Sequence, residues 1–377
     1  MALGVELRGV LVNVLAREGL QLERHEVTEE CRPGDDYLGD VLRVSTTFSS
    51  HNPPKHFIFK RPPHKDDARL LKFFRNEATF YQDLLPKLEE FKTQFDSAPA
   101  FAIPRRYHIA SDVIVLEDLM PLGFRMSTRT TFLDLHHCVL VLEEMGRFHA
   151  VSLAMKTLQP DKISLFRNTV QETVFCKAEE KYAKTEEACE NALLMLMRRY
   201  PESEYVDVLK EFTRNFFVNM TKLVSSDSRL RVINHGNCWA NNLMFQYDEL
   251  QGRPVHVRWF DFQLSRYASA ACDLSYFIYN CTTQTTRDEQ WEELMTAYLA
   301  EFNETLALVH LPLSQISRGQ LDEEMANFAA FGVGMAILLQ QPLAVNNGHD
   351  VEFESASAIR ITDIVVDAVT RGFLEFY

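Results

Sequence analysis

The sequence predicts an α+β protein of two lobes, a small mixed lobe at residues 1–119 and a mostly helical one at 120–377. Three observations predict it. The β-like runs "DVLRVSTTF" (40–48), "HFIFK" (56–60) and "DVIVLEDL" (112–119) fall in the first part. Long helical periodicities fill the second, at about 131–157, 168–199, 203–224, 287–309 and 319–342, interrupted by a motif-bearing segment at 231–282. At 377 residues and 46% hydrophobic content the chain can bury a core in each lobe.

In chain order, "MALGVELRGVLVNVLAREGL" opens with a helix, since Leu7, Leu11, Val14 and Leu15 recur at helical spacing. Glu6, Arg8 and Arg17 interrupt the apolar run that a signal peptide would need. After the first two strands, "LLKFFRNEATFYQDLL" (70–85) reads as a helix. A short hinge follows the third strand near "LEDLMPLG", with no low-complexity linker and no repeat.

Charge and composition narrow the partners. A net charge of −14 opposes a nucleic-acid backbone or an anionic membrane, so a small neutral or cationic molecule is the expected partner. No segment offers the roughly 20 apolar residues of a membrane span. The seven cysteines form no CxxC pair or metal-ligand spacing, which predicts free thiols, a reducing compartment and a cytoplasmic protein. A monomer is expected.

Two constellations carry chemistry. On the predicted helix at 70–85, Glu77 shares the apolar face of Phe73, Phe80 and Leu84, where a carboxylate is costly unless a cation meets it. Lys60, at the end of "HFIFK", is the candidate partner, although a lone Lys/Glu coincidence is more often an ordinary ion pair. The second lies in "VINHGNCWANNLMF" (232–245) and "VHVRWFDFQLSRY" (255–267). Asn242 stands five residues after Asn237, and Asp261 nineteen after Asn242 at the end of an alternating strand. A loop amide and a strand-end carboxylate can offer hard oxygens to Mg²⁺, though either alone is commonly a turn residue.

Other conspicuous residues have structural readings. His149 falls on the Leu135, Cys138, Leu142 and Met145 stripe of a predicted helix, as a satisfied core histidine would. His235 is expected to support its loop by hydrogen bonding, and Asp273, opening a predicted helix, to anchor that loop. Trp239 either walls a pocket or packs beneath it. The run "EEMANFAAFGVGMAILLQQPLAV" (323–345) either lines an apolar cleft through residues such as Phe331 or belongs to the core.

The order Lys60, Glu77, "VLEDL", HGxxxxxN and "FDF" resembles the choline kinase and aminoglycoside phosphotransferase branch of the protein-kinase-like fold. More narrowly, "GDDYLGDVLRV", "NEATFYQDLLP", "LEDLMPLGFR", "GRFHAVSLA", "NHGNCWANNLMF" and "FDFQLSRYASAACDLSYFI" are similar to the ecdysteroid kinase-like family, from about residue 34 to 280. The resemblance implies a bilobal fold whose small lobe carries an antiparallel sheet. It implies ATP and Mg²⁺ as cofactors. Lys60 would contact the α- and β-phosphates, Glu77 would orient Lys60, and Asn242 and Asp261 would hold the metal. Glu117, Asp118 and Leu119 would meet the adenine, while Gly34 and Gly39 would bracket the loop over the phosphates.

Asn237 departs from the family's pattern, which has the catalytic Asp there. An amide has no useful basicity near neutral pH, and general-base catalysis supplies about 10²–10⁴-fold. Three explanations stay open: an inert nucleotide binder, a kinase with an impaired or relocated base, and a substituted chain. The resemblance therefore implies a kinase-like protein acting on a hydroxyl of an ecdysteroid-like or other hydroxylated lipophilic compound, or a pseudokinase binding nucleotide or a steroid-like ligand.

Overall fold

The structure, a computed structural model, describes residues 3–31, 40–48, 52–62, 68–95, 100–127, 132–176, 183–311, 315–339 and 356–375. Helix α1 (Val5–Arg17) buries Leu7, Leu11, Val14 and Leu15, the four positions its period marks. Strands β1 (Leu22–Cys31), β2 (Val41–Phe48) and β3 (Lys55–Lys60) then form antiparallel neighbours.

The strand alternation of β2 and β3 decides what each face does. Leu42, Val44, Phe57 and Phe59 are buried and cluster with the apolar face of α1. Successive side chains point to opposite faces of a sheet, so Val41, Arg43, Ile58 and Lys60 turn the other way, into a cavity. The single lysine of the pair Lys60–Val41 is thus placed by register.

The chain next forms α2 (Ala68–Thr79), a π-helical turn at Phe80–Leu84, and α3 (Leu85–Lys92). Strands β4 (Arg106–Ile109) and β5 (Ile114–Glu117) complete a five-stranded sheet in the order β1-β2-β3-β5-β4, antiparallel throughout. β1 escapes a reading of hydrophobic pattern because "LERHEVTEEC" is polar on both faces, as an edge strand can be. β4 is a four-residue strand of half-buried residues, equally faint in the sequence.

Past the hinge lie β6 (Arg125–Met126) and helices α4 (Leu135–Leu158), α5 (Ile163–Thr169), α6 (Ala183–Arg199), α7 (Glu204–Arg214) and α8 (Phe216–Ser225). The site-bearing segment contributes β7 (Arg231–Asn234), β8 (Leu243–Tyr247), β9 (Pro254–Trp259) and β10 (Arg266–Ser269). Helices α9 (Ala270–Cys281), α10 (Gln284–Leu308), α11 (Arg318–Phe328), α12 (Ala330–Leu339) and α13 (Ala356–Thr370) follow. Every residue of α9 is buried, which makes it the axis of the large lobe. The result is a small lobe built on an antiparallel sheet and a mostly helical remainder.

Three helical expectations are corrected. The pattern at 203–224 is two helices, broken at Asn215, and Asn219 Nδ2 donates to the Phe212 carbonyl at the break (2.9 Å). The pattern at 319–342 is likewise two helices over its described part, and the Gly332 N–H there donates to Ser275 Oγ (3.1 Å). Of the pattern at 168–199, residues 170–176 are not helical, and Glu172 caps Val174 and Phe175 there. Phe331 is 1% exposed and packs on Phe175, so α12 is core and not the lining of a cleft. Among the described residues no helix is long and apolar enough to cross a membrane.

Candidate functional site

β3 delivers Lys60 and α2 delivers Glu77 to one point between the lobes. Lys60 Nζ donates to Glu77 Oε2 at 2.5 Å and also to Asp261 Oδ1. Glu77 is 1% exposed on the apolar face predicted for it, with Phe73, Phe80 and Leu84 also buried. One ammonium between two carboxylates leaves the cluster with an excess negative charge. Burial pushes the Glu77 carboxyl up to about 7; the Lys60 charge opposes that push and the Asp261 charge adds to it. For Lys60, burial pulls down, but Asp261 and Glu77 outweigh it and hold the ammonium above its ordinary range.

Asp261 is two residues beyond β9, with φ 67 and ψ 60, a left-handed backbone that a non-glycine residue rarely adopts. The turn this creates aims the carboxylate at Lys60 and places Phe262 beneath it. The Phe262 ring stacks on Phe80 (4.0 Å between centroids) and lies tilted against His235 (4.3 Å), joining the π-helical turn after α2, the Asp261 turn and the loop after β7.

That loop, 235–242, is fixed from below. The Asp273 carboxylate accepts from the His235 N–H (2.6 Å) and the Gly236 N–H (2.8 Å). Burial pushes Asp273 up, but the hydrogen bond and charge of His149 and the hydrogen bond from the Gly236 N–H outweigh it, and its carboxyl lies below the usual range. His149 is fully buried between Tyr298 and Asp273, the satisfied core histidine its position suggested. His235 Nδ1 accepts from the Asn237 N–H (3.1 Å), so Nε2 carries the proton donated to the Phe260 carbonyl (3.1 Å). The ring is therefore neutral, and burial lowers its pKa. Trp239 is partly buried against the core.

Asn237 Nδ2 donates to Asp261 Oδ2 at 3.0 Å, and Asn237 Oδ1 accepts from the Tyr276 hydroxyl at 3.1 Å. A carboxylate can only accept here, which fixes the amide's orientation. Asn242 Nδ2 donates to the Asn237 carbonyl (2.9 Å), leaving its own Oδ1 for another partner. The Asn242 carbonyl accepts from Phe260 N (3.2 Å).

A cavity of about 310 Å³ opens beside Lys60, Glu77 and Asp261. Leu116, Glu117, Asp118, Leu119 and Met120 line it, together with Met244 and Phe260. Asp118 is locked by an ion pair with Arg43 (2.8 Å) and by the Met120 N–H (3.0 Å). Asn237 and Asn242 are not in the cavity wall; Asn237 is one hydrogen bond from Asp261, and Asn242 is bonded in turn to the Asn237 carbonyl. Gly34 and Gly39 lie outside the described residues. Tyr276, Arg43 and Asn76 escape a reading of the sequence, because each acquires its partner from a distant element that no local spacing announces.

Whether a metal suits this site is a question of donors. Among the described residues no three His, Cys, Asp or Glu side chains gather to hold an ion by themselves. Asp261 and the Asn242 amide oxygen offer only two hard donors. Such hard oxygens are of the kind Mg²⁺ takes alongside waters and phosphate ligands, and here both Asp261 oxygens are engaged, by Lys60 and by Asn237.

Over residues 33–311 the sequence matches the family described as ecdysteroid kinase-like. No curated protein matches it. Among solved structures, choline kinase from Cryptosporidium parvum Iowa II is similar at 14% identity and a TM-score of 0.47, covering 97% of this chain and 93% of its own. The GDP complex of wild-type aminoglycoside 2'-phosphotransferase-IIIa is similar at 10% identity and a TM-score of 0.40, covering 97% and 99%. The streptomycin-ATP-APH(2")-IIa ternary complex is similar at 11% and 0.36, covering 88% and 99%.

Proposed function

The chain belongs to the ecdysteroid kinase-like family, and from that premise we propose an ATP-dependent phosphotransferase acting in the cytoplasm on a hydroxyl of an ecdysteroid-like or other hydroxylated lipophilic compound. The observation that supports it most is the convergence of Lys60, Glu77 and Asp261 on the wall of one cavity. The adenine would lie against the backbone of Glu117, Asp118 and Leu119. Lys60 would leave Asp261 for the α- and β-phosphates, with Glu77 still orienting it. Asp261 and Asn242 would hold Mg²⁺, which would neutralise phosphate charge when bound.

In this reading the acceptor oxygen attacks the γ-phosphorus while the bond to the β,γ-bridging oxygen breaks. Asn237 cannot take the hydroxyl proton, so that proton passes late to the transferred phosphoryl group, as a loose transition state permits. A second reading has its own observation. Both ends of the Asn237 amide are engaged within the protein, so the loop is complete as a nucleotide clamp without a base.

A transfer assay with Mg–ATP and a panel of hydroxylated steroids and other lipophilic alcohols tests the choice. Phosphorylated product supports the kinase. Saturable Mg–ATP binding with no product on any acceptor supports the clamp.

A further inference from the structure

Asn76 precedes Glu77 on α2, is 6% exposed, and does not line the cavity. Successive helical positions lie about 100° apart, so while Glu77 faces Lys60, Asn76 faces the large lobe. Its Nδ2 donates to the carbonyls of Gln263 (3.0 Å) and Ser265 (2.9 Å), in the turn that follows Asp261. Its Oδ1 accepts from the Gln171 N–H (3.2 Å), in the segment after α5. Two carbonyls can only accept and one N–H can only donate, so the amide's orientation is dictated by its partners.

The segment holding Gln171 is itself anchored. Glu172 Oε1 accepts from the N–H groups of Val174 (2.7 Å) and Phe175 (2.8 Å), and its Oε2 pairs with the buried Arg266 (2.9 Å). The Glu172 carbonyl accepts from Lys72 Nζ on α2 (3.3 Å). One helix of the small lobe is thus tied at two points to residues 171–172, and at Asn76 also to the turn carrying Asp261.

We infer that Asn76 is the positioning residue of the Lys60–Glu77 pair: by stapling α2 to the turn after Asp261 and to residue 171, it holds Glu77 within reach of Lys60 without touching any ligand. The inference rests on the proposed function only for what the pair serves. Loss of the amide would free α2 to swing outward, and Lys60 would lose Glu77 before it lost Asp261.

Lys60 reactivity tests this without nucleotide. The full chain is acetylated with an amine-reactive ester at a temperature where every variant is folded, and each lysine's rate is read by mass spectrometry. Asn76→Ala, and the isosteric Asn76→Asp, which turns a carboxylate toward two carbonyls, should speed Lys60 labelling about fivefold or more, one hydrogen bond's worth. Asn76→Ser, which keeps one donor, should fold where the others do not and give a smaller increase. Asn219→Ala removes a buried amide whose bond, to the Phe212 carbonyl, lies within the large lobe, and should leave the Lys60 rate unchanged. An unchanged Lys60 rate in folded Asn76 variants, or an equal rise in Asn219→Ala, would overturn the inference. In the same experiment, failure of Mg–ADP to protect Lys60 in the unmodified sequence would count against the nucleotide reading while leaving the comparison among variants decisive.

Discussion

Asn237 gives Asp261 a hydrogen-bond donor at 3.0 Å, which a carboxylate at that position could not do. An aspartate here would set two carboxylates about 3 Å apart with only Lys60 to share, a geometry that demands a proton or a second cation.

Asn237→Asp should therefore melt below the parent protein at neutral pH without metal, and gain more from millimolar Mg²⁺ than the parent does. Thermal melts with and without Mg²⁺ read both effects. Equal melting temperatures in both conditions would contradict the geometry. If the chain is a kinase, the same variant should also raise turnover, by roughly 10²-fold or more, the lower end of what a general base supplies.

Tyr276 completes that amide. Tyr276→Phe deletes the hydroxyl, leaves Asn237 Oδ1 buried without a donor, and should cost about 1–3 kcal/mol by chemical denaturation. A cost near zero would mean that Asn237 turns to another partner.

How much of this was legible in the sequence follows the range of the interactions. The α1 face, the alternation that aims Lys60 away from Phe57 and Phe59, and the apolar surroundings of Glu77 are local periodicities, and all three could be read. Breaks at Asn215 and Ala329 could not, because what stabilises them is contact with other groups: the Asn219 side chain on Phe212, and Ser275 on Gly332. Gly332 and Gly334 are where α12 meets Ser275 of α9 and Met220 of α8, contacts that no local pattern announces. Asp261 read as a strand end, but its left-handed backbone belongs to the fold.

Those two glycines should respond unequally. A Cβ on Gly332 would meet the Ser275 carbonyl carbon and oxygen at 2.4 Å, in a rigid helix backbone. A Cβ on Gly334 would meet Met220 Sδ at 2.4 Å, the flexible end of a side chain. Gly332→Ala should cost about 3 kcal/mol or prevent folding, and Gly334→Ala about 1 kcal/mol. The reverse order in urea denaturation would contradict the packing.

Glu77 sets a pH dependence. Its carboxyl is raised from 4.5 to about 7 in the folded protein, chiefly by burial. The folded state then holds a proton that the unfolded state has released, so this group's contribution is present below pH 4.5 and is lost as pH rises through 7. Glu77→Gln cannot lose a proton and should gain stability relative to the parent as pH rises from 5 to 8. Parallel pH profiles would place the proton elsewhere.

The central claim, that the Lys60, Glu77 and Asp261 cluster is a nucleotide site, is tested most directly by isothermal titration of Mg–ATP into the protein and its Lys60→Met and Asp261→Ala variants. A saturable isotherm that weakens about tenfold or more in each variant is the predicted result, since each substitution removes a charged phosphate contact or a metal ligand. No binding to the parent protein, or equal affinity in all three, would contradict it.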